Sequence, residues 1–105
     1  MKSNNIFKNI PKQLSEEIFE DIISQDGIKI ERIISKGQST PKGKWYDQDT
    51  SEWVIIMKGE AVISFEDSDD VKLGLGDYLN IPAHTKHRVS STDESQETIW
   101  LAVHY

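Results

Sequence analysis

The spacing of apolar residues changes once along this chain, at Gly27. Before it, Leu14, Ile18, Phe19, Ile22 and Ile23 recur at offsets of 4, 5, 8 and 9, the stripe expected of an amphipathic helix. Pro11 suits the start of such a helix, Glu16 and Glu17 suit its positive end, and Gly27 reads as its stop. The polar face carries Glu16, Glu17, Glu20 and Asp21 rather than Lys or Arg, so the predicted helix covers a core and does not lie on a membrane.

Beyond Gly27 the period is two. Ile28, Ile30 and Ile34 alternate with Lys29, Glu31 and Ile33, with Arg32 interrupting the apolar face, which predicts a strand. Residues 53–57 and 61–65 flank Lys58, Gly59 and Glu60 and read as a hairpin whose turn uses Gly59. Residues 66–70 form a predicted polar turn, 71–75, 78–81 and 88–91 short strands, and 82–86 a loop. In the last segment Ile99, Leu101, Val103 and Tyr105 face one way, and Trp100, Ala102 and His104 the other. Short strands separated by Gly, Asp and Ser turns, without alternating helices, predict an all-β sandwich or barrel with one short N-terminal helix.

The 105 residues suffice for one domain, divided here into an extension with its helix (1–27) and a barrel (28–105). Twelve Lys and Arg against eighteen Asp and Glu give a net charge of −6, which disfavours a nucleic-acid partner. The absence of Cys removes disulfides, thiolate metal sites and a cysteine nucleophile, leaving histidine, carboxylate and hydroxyl chemistry. Residues 1–10 lack the apolar run of a secretory signal and no stretch approaches the ~20 apolar residues of a membrane span. The expected location is therefore the cytoplasm, with no membrane partner.

Strand alternation singles out a few groups. Tyr46 and Gln48 share one face, Trp45 and Asp47 the other. Glu52 shares a face with Val54 and Ile56, so an inward carboxylate needs a partner or a metal. His87 shares a face with Val89. Trp45, Tyr46 and Trp53 also suit plain barrel packing, and His104 reads as structural or exposed. Ser68 with Asp67, Asp69 and Asp70 lacks the pattern of a calcium loop and reads as a solvated turn.

Glu52, six residues and Gly59 resemble the end of the first cupin motif, and Gly76, Pro82 and His87 match the spacing of the second. The resemblance spans roughly residues 44–91 and is to small single-domain cupins whose function is mostly unassigned. It implies a double-stranded β-helix, the jelly-roll barrel, with metal ligands at Glu52 and His87. The His-x-His pair of the first motif is missing: its positions fall on Tyr46 and Gln48, or on Trp45 and Asp47. Gln48 or Asp47 would then complete a site for Fe, Mn, Ni or Zn, with His84 as a further candidate. His84 stands where the second motif has Gly, and Ser91 where it has Asn.

On this resemblance the first expected function is a metal-binding cupin that takes a small polar or carboxylated ligand, with Tyr46 as hydrogen-bond donor or proton-transfer group. Whether it is an enzyme stays open. The alternative is a metal-free binding or sensor module that kept the barrel and lost the chemistry. Metal-free isomerisation of a sugar nucleotide by His87 and Tyr46 ranks last, because the chain is short for a nucleotide-binding surface. The resemblance also implies a homodimer formed through an edge strand or an exchanged N-terminal strand.

Overall fold

The structure is a computed structural model that describes residues 1–105. Its strands are β1 (Ile18–Gln25), β2 (Ile28–Ser35), β3 (Glu52–Lys58), β4 (Ala61–Phe65), β5 (Ser68–Leu73), β6 (Tyr78–Ile81), β7 (His87–Thr92) and β8 (Thr98–His104). They form a five-stranded sheet in the order β1-β2-β8-β3-β6 and a three-stranded sheet in the order β5-β4-β7, all neighbours antiparallel. The chain is all-β, and no helix is long and apolar enough to cross a membrane.

The predicted N-terminal helix is not formed. Its second half is β1, which pairs with β2 from Ile18 opposite Ile34 to Gln25 opposite Ile28. Asp26 and Gly27, with Gly27 at φ +79°, are the two-residue turn of this hairpin rather than a helix stop. The doublets Ile18-Phe19 and Ile22-Ile23 mimic a helical stripe. In the strand they put apolar side chains on both faces, Phe19 opposite Ile33 and Ile18 opposite Ile34. Hairpin pairing with the adjacent strand β2 outweighs the helical pattern.

The predicted hairpin around Gly59 is also corrected. β3 pairs with β6 and β8, whereas β4 pairs with β5 and β7, so Gly59 carries the chain from one sheet to the other. The polar turn after β4 is shorter than predicted, because Ser68, Asp69 and Asp70 already belong to β5, and that strand ends at Leu73 rather than Leu75.

Between the sheets lies a core of Ile33, Val54, Ile56, Ala61, Ile63, Leu73, Ile81, Trp100 and Ala102. Trp100 donates its indole N–H to Ser35 Oγ at 3.3 Å, and Ser35 in turn donates to Glu17 at 2.7 Å. This chain of polar contacts satisfies groups that would be costly if buried alone.

Outside the five-stranded sheet, Arg32 ties down the N-terminal segment. Its guanidinium bonds Glu20 Oε1 through Nε at 3.0 Å and Nη2 at 2.6 Å, and Nη1 reaches the carbonyls of Ile6 and Lys8. Arg32→Met is expected to cost about 2 kcal/mol, because charge-assisted hydrogen bonds are lost while Glu20 stays partly solvated. Limited proteolysis checks this: cleavage within residues 1–17 should accelerate while the barrel stays resistant.

Candidate functional site

One end of the space between the sheets is a cavity of about 240 Å³. Its floor is apolar, with Ile33, Val54, Ile63 and Trp100, and its polar side is built by strand register. Glu52 on β3 lies directly opposite His104 on β8, and His104 lies opposite Lys29 on β2. Glu31 and Ile33 share the inward face of β2. His87 opens β7 from the facing sheet, and Tyr46 is held beside it by paired backbone bonds, Tyr46 N to His87 O at 2.7 Å and His87 N to Tyr46 O at 3.1 Å.

The imidazoles and carboxylates form a chain. His87 donates Nδ1–H to the Thr85 carbonyl at 2.7 Å, which turns Nε2 toward Glu52 Oε1 at 3.6 Å. Gln48 donates its amide N–H to the same Glu52 oxygen at 3.1 Å. Glu52 Oε2 lies 3.9 Å from His104 Nε2, which donates to Glu31 Oε1 at 2.7 Å, and Lys29 Nζ stands 3.5 Å from Glu31. Each carboxylate faces an imidazole, so polar groups that would be costly if buried alone find partners within the cavity wall.

These contacts set the protonation of the central pair. Burial works to raise the Glu52 pKa, but the bonds from His87 and Gln48 and the nearby imidazole charges prevail, so it lies below its ordinary 4.5. Burial works to lower that of His87, but Glu52 and the Thr85 carbonyl prevail, so it lies above its ordinary 6.5. For Tyr46, burial and the charges of Glu17 and Glu52 outweigh a hydrogen bond to Thr40 and push the phenol above 10.0, keeping it a donor at neutral pH.

The sign of the stability effect follows. A depressed Glu52 stabilises the fold above pH 4.5 and loses that contribution as pH falls through its folded value. A raised His87 stabilises below pH 6.5 and loses that contribution as pH rises through its folded value. Chelator-treated protein is therefore expected to melt highest between pH 4.5 and 6.5. The decline above that window should flatten in Glu52→Gln, as read from melting temperature against pH.

Of the residues singled out in the sequence, the cavity brings together Tyr46, Gln48, Glu52 and His87. Asp47 does not join them: alternation points it outward, where it meets His84 Nδ1 at 3.2 Å. His84 is therefore also outside, and its φ of +62° explains why glycine suits that position in the second motif. Gln48 supports Glu52 through its N–H rather than offering an oxygen. His104, read as structural or exposed, lines the cavity, as do Glu31, Glu17 and Lys29. The signal for His104 was present, since it alternates in phase with Trp100 and Ala102, both buried. Glu31 had no such signal, because it shares its face of β2 with Lys29, Ile33 and Ser35, a mostly polar set that reads as solvated.

As a donor set, Nε2 of His87, the Glu52 carboxylate and Nε2 of His104 suit a first-row divalent ion. The Thr85 carbonyl on His87 Nδ1 is the outer contact such a ligand requires. In the arrangement observed, no group of three or more His, Asp or Glu side chains is set to hold an ion; imidazoles and carboxylates are turned to one another instead.

A two-sheet antiparallel barrel with an interior polar site is the class that fold and cavity define. The chain belongs to the Cupin domain family, whose match covers residues 32–104. No curated protein matches it. Among solved structures it is similar to a Ralstonia eutropha JMP134 protein provisionally named mannose-6-phosphate isomerase, at 45% identity and TM-score 0.94, covering 99% of this chain and 97% of that one. It is similar in fold to a cupin superfamily protein of Desulfitobacterium hafniense DCB-2, at 22% identity and TM-score 0.74, covering 90% and 82%. It also resembles in fold the DMSP lyase of Ruegeria pomeroyi DSS-3, at 19% identity and TM-score 0.70, covering 84% of this chain and 46% of that one.

Proposed function

We propose that the barrel binds a small polar ligand bearing hydroxyl or carboxylate groups, fixed in the cavity by a divalent ion, Fe, Mn, Ni or Zn, at His87, Glu52 and His104. The observation that carries this reading is the Glu52 carboxylate lying between two imidazole Nε2 atoms, at 3.6 and 3.9 Å, on the wall of a cavity. When bound, such an ion supplies Lewis-acid polarisation of a ligand oxygen. The chain's own residues do the rest. Gln48 fixes the Glu52 carboxylate, Tyr46 donates a hydrogen bond from a phenol that stays protonated, and the apolar floor at Ile63 and Trp100 excludes water. Glu17, Glu31 and Glu52 face Lys29 as the only Lys or Arg lining the cavity, so a carboxylated ligand needs added positive charge, which the ion provides. The size of the cavity suits a ligand smaller than drug-sized molecules. The name of the Ralstonia protein, a sugar phosphate isomerase, is in keeping with a small polyhydroxylated ligand.

A second reading, a metal-free binding or sensor module, is favoured by the 2.7 Å bond that occupies His104 Nε2 with Glu31. Elemental analysis of protein purified without chelator or added metal separates the two. The metal reading expects about one equivalent and a raised melting temperature with added Fe, Mn, Ni or Zn, both lost in His87→Ala. Less than about a tenth of an equivalent, with no thermal shift from any of the four, sinks it in favour of the metal-free module.

A further inference from the structure

Four residues that line the cavity, Glu17, Phe19, Lys29 and Glu31, come from the β1–β2 hairpin or from the residue before it. All four lie outside residues 32–104, the span that matches the family, so part of the wall is built by a segment the match does not include. Glu17 is set by register. Ile18 opposite Ile34 places Glu17 beside Ser35, whose hydroxyl donates to Glu17 Oε2 at 2.7 Å, and Trp100 holds that hydroxyl through its indole N–H at 3.3 Å. Ser35 is buried and so is Trp100, which anchors the carboxylate to the core by one oxygen. Its other oxygen, Oε1, is left to accept a further bond on a residue that lines the cavity.

Tyr46 lines the same cavity, and its phenol, raised by burial and by the nearby Glu17 charge, stays a donor. An acceptor and a donor close together select the group they bind. An ammonium can only donate and a carboxylate can only accept, whereas a hydroxyl does both. Phe19, opposite Ile33, continues the apolar floor outward, yet it remains 54% exposed. An aromatic ring left open on a cavity wall is a surface for the apolar face of a ligand.

We propose that this wall makes the cavity a site for a neutral sugar ring, with Glu17 and Tyr46 holding its hydroxyls and Phe19 covering its C–H face. The proposal rests on the reading of the cavity as a binding site for a small polar ligand, and it selects hydroxyls over carboxylates. A carboxylated ligand would meet Glu17, Glu31 and Glu52, while Lys29 already stands 3.5 Å from Glu31. A volume of about 240 Å³ suits a single ring. Glu17, Tyr46 and Phe19 are separate from His87, Glu52 and His104, so sugar and ion are held by different residues of one cavity.

Nuclear magnetic resonance titration of the isotope-labelled chain with D-glucose, D-mannose, D-galactose and D-xylose tests the proposal, with malate and putrescine as anionic and cationic comparators. Each titration is run on the protein as purified and again with added Zn. At least one sugar should bind with a dissociation constant of about 1 to 20 mM, the range for a ligand of about a dozen non-hydrogen atoms. The Trp100 indole N–H signal should shift with it, because Trp100 reaches Glu17 through Ser35. Glu17→Gln and Phe19→Ala should each weaken binding at least about 5-fold, with amide signals distant from the cavity unchanged. Sugar binding indifferent to both variants overturns the proposal, and so does binding of malate or putrescine without any sugar. If a variant fails to fold, the unmodified chain decides: Overhauser contacts between Phe19 ring protons and sugar C–H protons support the proposal, and their absence overturns it. Silence from all four sugars also overturns it, while malate binding or a stoichiometric ion would leave the broader reading of the cavity standing.

Discussion

Gly59→Ala is expected to destabilise the barrel by about 4 kcal/mol, lowering its melting temperature by roughly 20 °C. Two effects add at this position. Gly59 has φ +82°, a conformation costing an L side chain about 1 to 2 kcal/mol. A Cβ there would also collide with Thr98 Oγ1 and lie 2.7 Å from Thr98 Cα and 2.9 Å from Glu97 O. Two of these are not the ends of flexible side chains, so relief requires β8 to move, and β8 is paired on both sides. Gly27→Ala is the control: φ is +79°, but nothing lies within 4 Å of the added atom. Its cost should be about 1 kcal/mol, and urea denaturation of the two variants isolates the packing contribution. Similar losses in both would mean that the crossing between sheets yields.

Glu52→Ala is expected to cost about 3 kcal/mol and to remove the proposed divalent-ion binding. The carboxylate is the shared partner of Gln48 and His87 and faces His104, so truncation strands two groups in a largely buried site. His104 keeps Glu31 and Lys29 keeps its own contact, which places the loss at the lower end for a broken buried pair. Glu52→Gln retains shape and some hydrogen bonding and should cost about 1 kcal/mol, while divalent-ion affinity falls at least about 100-fold in both variants. Calorimetric titration with Mn or Zn, run beside thermal denaturation, reads the two effects separately. Full affinity in Glu52→Gln would show that the charge of this carboxylate holds no ion.

Much of the barrel was legible because strands with one buried face carry their own phase. Trp100, Ala102 and His104 alternate against Ile99, Leu101 and Val103, and residues 78–81 were placed where β6 lies. Gly76, Pro82 and His87 carried the family resemblance, and the loop from Pro82 brings His87 to the start of β7. The N-terminal region was misread because Ile18-Phe19 and Ile22-Ile23 satisfy a helical offset as well as a strand with two apolar faces. Asp26-Gly27 was the cue that separates them, since this pair closes a two-residue hairpin.

The site divides along the same line. Which residue types were available was settled by composition: no thiol, three histidines and an excess of carboxylates. The inward phase of Glu52 and the alternation of Tyr46 and Gln48 against Asp47 followed from period two. Alternation says which residues share a face but not which face is inside, and the cavity face of β2, Lys29, Glu31, Ile33 and Ser35, is the more polar one, so Glu31 could not be placed from its own strand. Only the pairing of β2, β8 and β3 sets Glu31, His104 and Glu52 in contact, because residues 31, 52 and 104 are neighbours through strand register alone. The types of chemistry this chain can offer were thus written in its sequence. The partners that tune His87 and Glu52, and the cavity they share, exist only once the sheets have formed.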